Sequence, residues 1–220
     1  MRIRCKPWAK PELESCDFCI DNPDEMKNKW NSLFENNNPV YLELGCGKGG
    51  FISQIAPSYP DINFIALDIK NEMLVLAKRK IEMAYSEKNM PLSNIKIAIK
   101  NISNISQAFG KEDRVDRIYI NFCNPWPRGK HKKRRLTHTR QLIQYRDFLK
   151  DDGEIWFKTD DDPLFYESIP YFYQSGFDVV YRTYNLGKDK KYENFETEHE
   201  KMFTQEGKKI KFLIARKIAE

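Results

Sequence analysis

Short apolar runs alternate with amphipathic stretches along most of the chain. VYLELG at 40–45 is a β-branched and apolar run stopped by glycines, and residues 49–58 suit a short helix. INFIALD at 62–68 predicts a second buried strand. Residues 70–88 then carry a helical pattern that puts Met73, Leu74, Ala77, Ile81 and Ala84 on one face. IKIAI at 95–99 and VDRIYINF at 115–122 predict a third and a fourth strand. A helix over 137–150, the strand EIWFKT at 154–159, a helix over 162–175 and strands near 177–184 and 210–216 complete the pattern. Apolar strands separated by helices imply a mostly parallel sheet covered on both faces, the doubly wound α/β class. Only a polar insertion at 185–208 separates the last two strands, so a hairpin adding an antiparallel C-terminal edge is expected. Residues 1–38, with Pro7, Pro11, Pro23 and a short helical stretch near 24–35, read as an arm. No repeat or low-complexity linker interrupts the rest, which predicts one domain over 1–220, with a body at 39–220.

Composition changes this picture little. Hydrophobic residues make up 40%, enough for a core. No run approaches the roughly 20 apolar residues of a membrane span, and the N-terminus has no apolar signal core, so a cytoplasmic protein is expected. Cys16 and Cys19 form a CxxC with Cys5 upstream, but a closed zinc site needs four ligands. His131, His138 and His199 lie in segments with other readings, so reduced thiols and no metal are expected.

Chemistry enters at the first strand's end, Glu43-Leu44-Gly45-Cys46-Gly47-Lys48-Gly49-Gly50. Glycines at a strand-to-helix turn let backbone pass close to a ligand. Gly45, Gly47 and Gly50 fit a dinucleotide pattern, whereas Gly49 fits the acidic-GxGxG form of methyltransferases. Glu43 separates the two, because a carboxylate repels a pyrophosphate and attracts the ammonium of S-adenosylmethionine. Asp68 closes the second strand, where a carboxylate can accept both ribose hydroxyls. Asn101, past the third strand, can bond an adenine edge. Without a ligand, Asp68 would read as a helix cap and Asn101 as a turn residue.

The fourth strand runs into Asn121-Phe122-Cys123-Asn124-Pro125-Trp126-Pro127. In doubly wound sheets ligands sit at the carboxyl ends of strands, which places Asn124 beside the reacting group. Arg128-Gly129-Lys130-His131-Lys132-Lys133-Arg134-Arg135 follows, with six of eight residues Lys or Arg. The formal net charge of the whole chain is only +5, so this is a sharp local cluster. Such a run beside an active-site rim implies a polyanion held by salt-dependent phosphate contacts.

These residues resemble the bacterial-type tRNA (guanine-N7)-methyltransferase family over nearly the whole chain. The resemblance is carried by the arm MRIRCKPWA, ELGCGKG, NFCNPWPRGKHKKRRLTH, the FKTD at 157–160 and the TEHE at 197–200. It implies a class I, Rossmann-like methyltransferase fold, S-adenosylmethionine as donor and a variable-loop guanine of tRNA as acceptor. It also implies that Glu43, Gly45, Gly47, Asp68, Asn101 and Asn124 line the donor site. Arg128, Asp160, Thr197, Glu198, His199 and Glu200 would contact the substrate, and Lys130, His131, Lys132, Lys133, Arg134 and Arg135 the RNA. The chain departs from the family pattern at Asn124 and Asn101, where aspartate is usual or frequent, and at His199, where tyrosine is typical. Oligomeric state is left at monomer or weak homodimer.

N7 of guanine carries a lone pair and no proton, so the missing aspartate at 124 does not remove an obligatory base. What the protein must supply is alignment and stabilisation of the cationic product. Guanine's N–H donors need an acceptor-only partner, a role that fits Asp160, with Glu198 and Glu200 as alternatives. Asp161 or Asp162 would then cap the helix at 162. A nicotinamide-dependent oxidoreductase, a non-catalytic RNA-binding module and a methyltransferase for another RNA base are the competing expectations.

Overall fold

Each predicted strand has a counterpart in the computed structural model, which describes residues 6–219. Two compact units divide the chain, Met1–Asp113 and Arg114–Glu220, and each has its own portion of sheet.

The first unit opens with α1 (Ala9–Glu14) and a two-residue strand, β1 (Cys19–Ile20). Both lie within the expected arm and escape the sequence pattern because they are too short to show a period. β1 pairs in parallel with β4 (Ile95–Ile99). β4 in turn pairs with β3 (Asn63–Asp68), and β3 with β2 (Val40–Leu44), giving the order β1-β4-β3-β2. β3 is buried at every position, as a central parallel strand must be. Pro57 confines the helix expected over 49–58 to α2 (Ile52–Ile55) and a 3₁₀ turn. The helix α3 (Asn71–Glu87) buries Leu74, Val75, Ala77, Ile81 and Tyr85.

The helical stretch expected near 24–35 becomes two 3₁₀ turns, Pro23–Met26 and Trp30–Leu33. Asn28, between them, has φ 65°, which no right-handed helix accommodates. Asp113 decides this shape. Its buried carboxylate accepts from the N–H groups of Asn28 (2.6 Å), Trp30 (2.9 Å) and Gly110 (2.9 Å). Trp30 stacks on Phe109 with centroids 4.9 Å apart and donates from Nε1 to the Ala108 carbonyl at 2.8 Å.

The second unit orders its strands β5-β6-β8-β7. β5 (Val115–Asn121) pairs in parallel with β6 (Leu149–Thr159). β6 begins five residues before the expected EIWFKT because α4 (Thr139–Phe148) passes straight into it. The expected hairpin is present between β7 (Phe177–Thr183) and β8 (Lys211–Lys217), but β8 inserts beside β6 and β7 takes the edge. Burial follows: residues 211–215 are buried, while β7 alternates. α5 (Asp162–Gln174) is capped by Asp161, whose carboxylate accepts from Leu164 N–H at 2.7 Å. The polar insertion at 185–208 contains α6 (Glu198–Gln205), capped by Thr197 Oγ1 accepting from Glu200 N–H at 3.1 Å.

Candidate active site

The turn after β2 in the first unit is built for close approach. N–H groups of Gly45 and Cys46 both donate to the Leu67 carbonyl at 2.9 Å, stapling the glycine loop to β3. Gly47 (φ 55°) and Gly49 (φ 75°) occupy the left-handed region for different reasons. A Cβ on Gly49 would lie 2.8 Å from Ala77 Cα, so this glycine lets α3 pack against the loop. A Cβ on Gly47 would meet only Met73 Cε at 3.6 Å, so this glycine leaves room for a ligand instead.

Asp68 is not a helix cap; the capping position of α3 is Lys70. The Asp68 carboxylate accepts from Gly47 N–H through Oδ2 and from Lys70 N–H through Oδ1, both at 2.9 Å. Burial raises its pKa above the usual carboxylate range, opposed by those backbone donors. Glu43 is 3% exposed at the end of β2. Asn101 caps the 3₁₀ segment Ile102–Gln107 through Oδ1, which accepts from Ser103 N–H at 3.0 Å. With that oxygen engaged, its amide N–H groups are what it can offer an adenine edge. An open glycine turn, a carboxylate held by backbone N–H groups and a second, buried carboxylate fit S-adenosylmethionine.

In the second unit, β5 leaves the sheet through a strained turn. Phe122 (φ 51°) and Trp126 (φ 41°) flank Asn124, whose Oδ1 accepts from Trp126 N–H at 3.0 Å. Non-glycine residues held there cost on the order of 1–3 kcal/mol each and concentrate at functional sites. Cys123 lies inside this turn, and burial pushes its thiol up to about 12, so it offers no thiolate at neutral pH. Asp160 follows β6. Its carboxylate faces Lys208 Nζ at 3.6 Å, and its carbonyl accepts from Lys211 Nζ at 2.9 Å.

The matching family model, described as "Putative methyltransferase", covers residues 37–213. A tRNA (guanine-N(7)-)-methyltransferase of Clostridium botulinum (strain Eklund 17B / Type B) is 60% identical over 215 residues, which is 98% of each chain. One from Clostridium perfringens (strain 13 / Type A) is 57% identical over 99% of this chain and 100% of its own. The chain belongs to the tRNA (guanine-N7)-methyltransferase family. The solved structure of the 16S rRNA methyltransferase KamB matches with a TM-score of 0.62 and 13% identity, over 87% of this chain and 93% of that one. The fold is therefore that of the class I, Rossmann-like methyltransferases, and the methyl donor of such enzymes is S-adenosylmethionine.

Burial divides the charges of the basic run. It forms a 3₁₀ segment, Gly129–Arg134, with Arg128, Lys130, Lys133 and Arg134 exposed. Arg134 lies over the Trp126 ring at 5.2 Å, and His131 packs on the same ring at 5.8 Å. Arg135 departs from expectation. It is 1% exposed, with Nε donating to the Pro125 carbonyl at 2.7 Å and Nη1 to Glu167 at 2.6 Å. It is thereby withdrawn from the RNA-facing set, because a guanidinium committed to internal acceptors cannot also reach a phosphate. Lys132 is half-buried against the same Glu167 at 2.8 Å.

The TEHE segment divides likewise. Glu198 and His199 are exposed, and His199 stacks on Phe122 with centroids 6.3 Å apart. Thr197 and Glu200 are buried, one as helix cap and the other as partner of Lys158 Nζ at 2.7 Å. Asn194 Nδ2 takes the second Glu200 oxygen at 2.6 Å. Thr197 and Glu200, expected to contact the substrate, have internal partners in the structure, with both carboxylate oxygens of Glu200 accepting from side chains of the same unit. The pairing of Lys158 in FKTD with Glu200 in TEHE has no sequence-local signal. Among the described residues no cluster of three or more His, Cys, Asp or Glu side chains could hold a metal ion. Cys5 lies outside the described residues. Cys16 and Cys19 are free thiols, and the Cys19 thiol donating to Cys16 lowers the latter's pKa. No helix among the described residues is long and apolar enough to cross a membrane.

Proposed function

We propose that the chain methylates N7 of a variable-loop guanine in tRNA, its two units acting as one methyltransferase domain in the cytoplasm, as a monomer or weak homodimer. The observation that carries this reading is 60% identity, end to end, with a tRNA (guanine-N(7)-)-methyltransferase. The first unit holds the donor: Glu43 meets its ammonium, Asp68 its ribose hydroxyls and Asn101 its adenine. Gly45 and Gly47 give it backbone to lie against. When bound, S-adenosylmethionine supplies an electrophilic methyl group on a sulfonium. The second unit holds the acceptor. Asp160 accepts from guanine N–H groups, with Arg128, Glu198 and His199 around the base. Lys130, His131, Lys133 and Arg134 lie along the phosphates.

No residue has to remove a proton, because N7 has none. Asn124 contributes a carbonyl dipole and the shape of its turn, while Asp160 offsets the positive charge that develops on the purine. Labelled donor incubated with unmodified tRNA, followed by nucleoside mapping, tests the reading. Label in 7-methylguanosine of the variable loop is expected. Labelling that persists when the target guanine is replaced by 7-deazaguanine refutes N7 chemistry.

A further inference from the structure

The Phe122–Trp126 turn holds two non-glycine residues at positive φ, so something must hold it there. The Asn124 side chain does so from within the turn, at 3.0 Å from Trp126 N–H. Arg135 does so from outside it, donating from Nε to the Pro125 carbonyl at 2.7 Å. A guanidinium 1% exposed needs a counter-charge, and Glu167 of α5 provides it at 2.6 Å through Oε2. Lys132 Nζ reaches both Glu167 oxygens, Oε1 at 2.8 Å and Oε2 at 2.7 Å. One carboxylate is thus shared by a buried cation that shapes the turn and a half-buried member of the basic segment. The two cations hold Glu167 ionised, its pKa lowered first by Lys132 and then by Arg135.

We propose that Glu167 is a positioning residue for methyl transfer: through Arg135 it holds the Asn124–Trp126 turn in shape, and through Lys132 it ties that turn to the RNA-contacting segment. This rests on the tRNA methylation proposed above. Glu167 itself touches no substrate. Without its charge, Arg135 has reason to swing toward solvent, the Pro125 carbonyl loses its donor, and the strained turn relaxes. Turnover then falls more than tRNA affinity does, because the exposed lysines and arginines still attract phosphate.

The test is Glu167→Gln in the full chain, with Arg135→Lys as a second variant, since lysine cannot serve Pro125 and Glu167 in the same fork geometry. Loss of one charge-assisted hydrogen bond predicts a fall in turnover at saturating substrates of about tenfold. Loss of a partly exposed ion pair predicts a change in KM for tRNA within about threefold. Glu167→Asp, which keeps the charge, should recover part of the loss. Trp126 emission, taken as the difference between each protein and its Trp126→Phe counterpart, should shift to the red in Glu167→Gln without any substrate present. Unchanged Trp126 emission overturns the proposal, and so does a loss of turnover that merely tracks a fall in melting temperature. If the unaltered chain does not methylate tRNA, the functional reading fails by itself and the Trp126 emission alone decides the role of Glu167.

Discussion

The backbone N–H of Gly47 donates to Oδ2 of Asp68 across 2.9 Å, so the glycine turn and the end of β3 are fixed to each other before any ligand arrives. On the proposed reading, a donor lying on the turn would find Asp68 already positioned for its ribose hydroxyls, which would lower the ordering cost of binding.

Replacing Asp68 tests that arrangement. Asp68→Ala removes an ionised acceptor and two internal hydrogen bonds, and a charged hydrogen bond contributes about 1.5–3 kcal/mol. Affinity for S-adenosylhomocysteine, measured calorimetrically, is expected to fall by about ten- to a hundredfold.

The same residue predicts a pH dependence. Burial raises the Asp68 pKa above its usual value of 3.8. The folded chain therefore binds this proton more readily than the unfolded chain does. Its contribution to stability is present below the unfolded value and is lost as pH rises through the folded one. If Asp68 holds the ribose hydroxyls as proposed, donor binding runs the other way, because protonation removes an acceptor. Acidification should weaken S-adenosylhomocysteine binding at a higher pH than an ordinary aspartate would, and Asp68→Asn should flatten that dependence.

Gly47 and Gly49 should separate binding from stability. Gly49→Ala combines positive φ with a Cβ 2.8 Å from Ala77 Cα, and an expected loss of about 2–4 kcal/mol follows from strain and overpacking. Gly47→Ala meets no backbone and should be destabilised by only about 1–2 kcal/mol, while binding donor more weakly. Thermal unfolding with and without S-adenosylhomocysteine distinguishes the two.

The basic segment should respond residue by residue. Neutralising Lys130, Lys133 and Arg134 is expected to weaken tRNA binding and to flatten its salt dependence. The slope should fall by up to about 0.7–0.9 for each phosphate that is no longer neutralised. Arg135→Ala should lower the melting temperature, because it strands the Pro125 carbonyl and leaves Glu167 with Lys132 as its remaining cation. Filter binding across a salt series, beside thermal unfolding, checks both outcomes.

Asn124 and Asp160 should differ in kind. Asn124→Asp keeps the acceptor for Trp126 N–H and adds a negative charge, so turnover is expected to hold or rise. Asp160→Ala removes the proposed acceptor for guanine and should reduce turnover by about a hundredfold. Single-turnover methyl transfer on tRNA measures both. Abolition by the first change with no effect of the second would overturn the division of roles.

Much of the fold was legible because a parallel strand buried on two faces must be continuously apolar, as NFIALD at 63–68 is. The helix over 71–87 showed itself through the spacing of Leu74, Ala77 and Ile81. The residues proposed to hold the donor were picked out by the same local order, since Glu43, the glycines and Asp68 stand at fixed offsets along consecutive elements. β1 and α6 were not legible. A strand of two residues is too short to carry a period, and α6 is an eight-residue, mostly polar helix inside an insertion that offers few apolar positions.

The sequence by itself determined the class of fold, the glycine turn after β2 and the presence of a concentrated basic segment, because each depends on local order along the chain. Tertiary structure alone decided which charges act outward. Arg135 and Arg134 are adjacent and chemically identical, yet one is buried against Glu167, 32 residues on, and the other lies over Trp126 in solvent. Glu198 and Glu200 divide in the same way, through Lys158. A charge is drawn inward only when a partner at the right distance compensates its desolvation, and that partner belongs to a distant part of the chain.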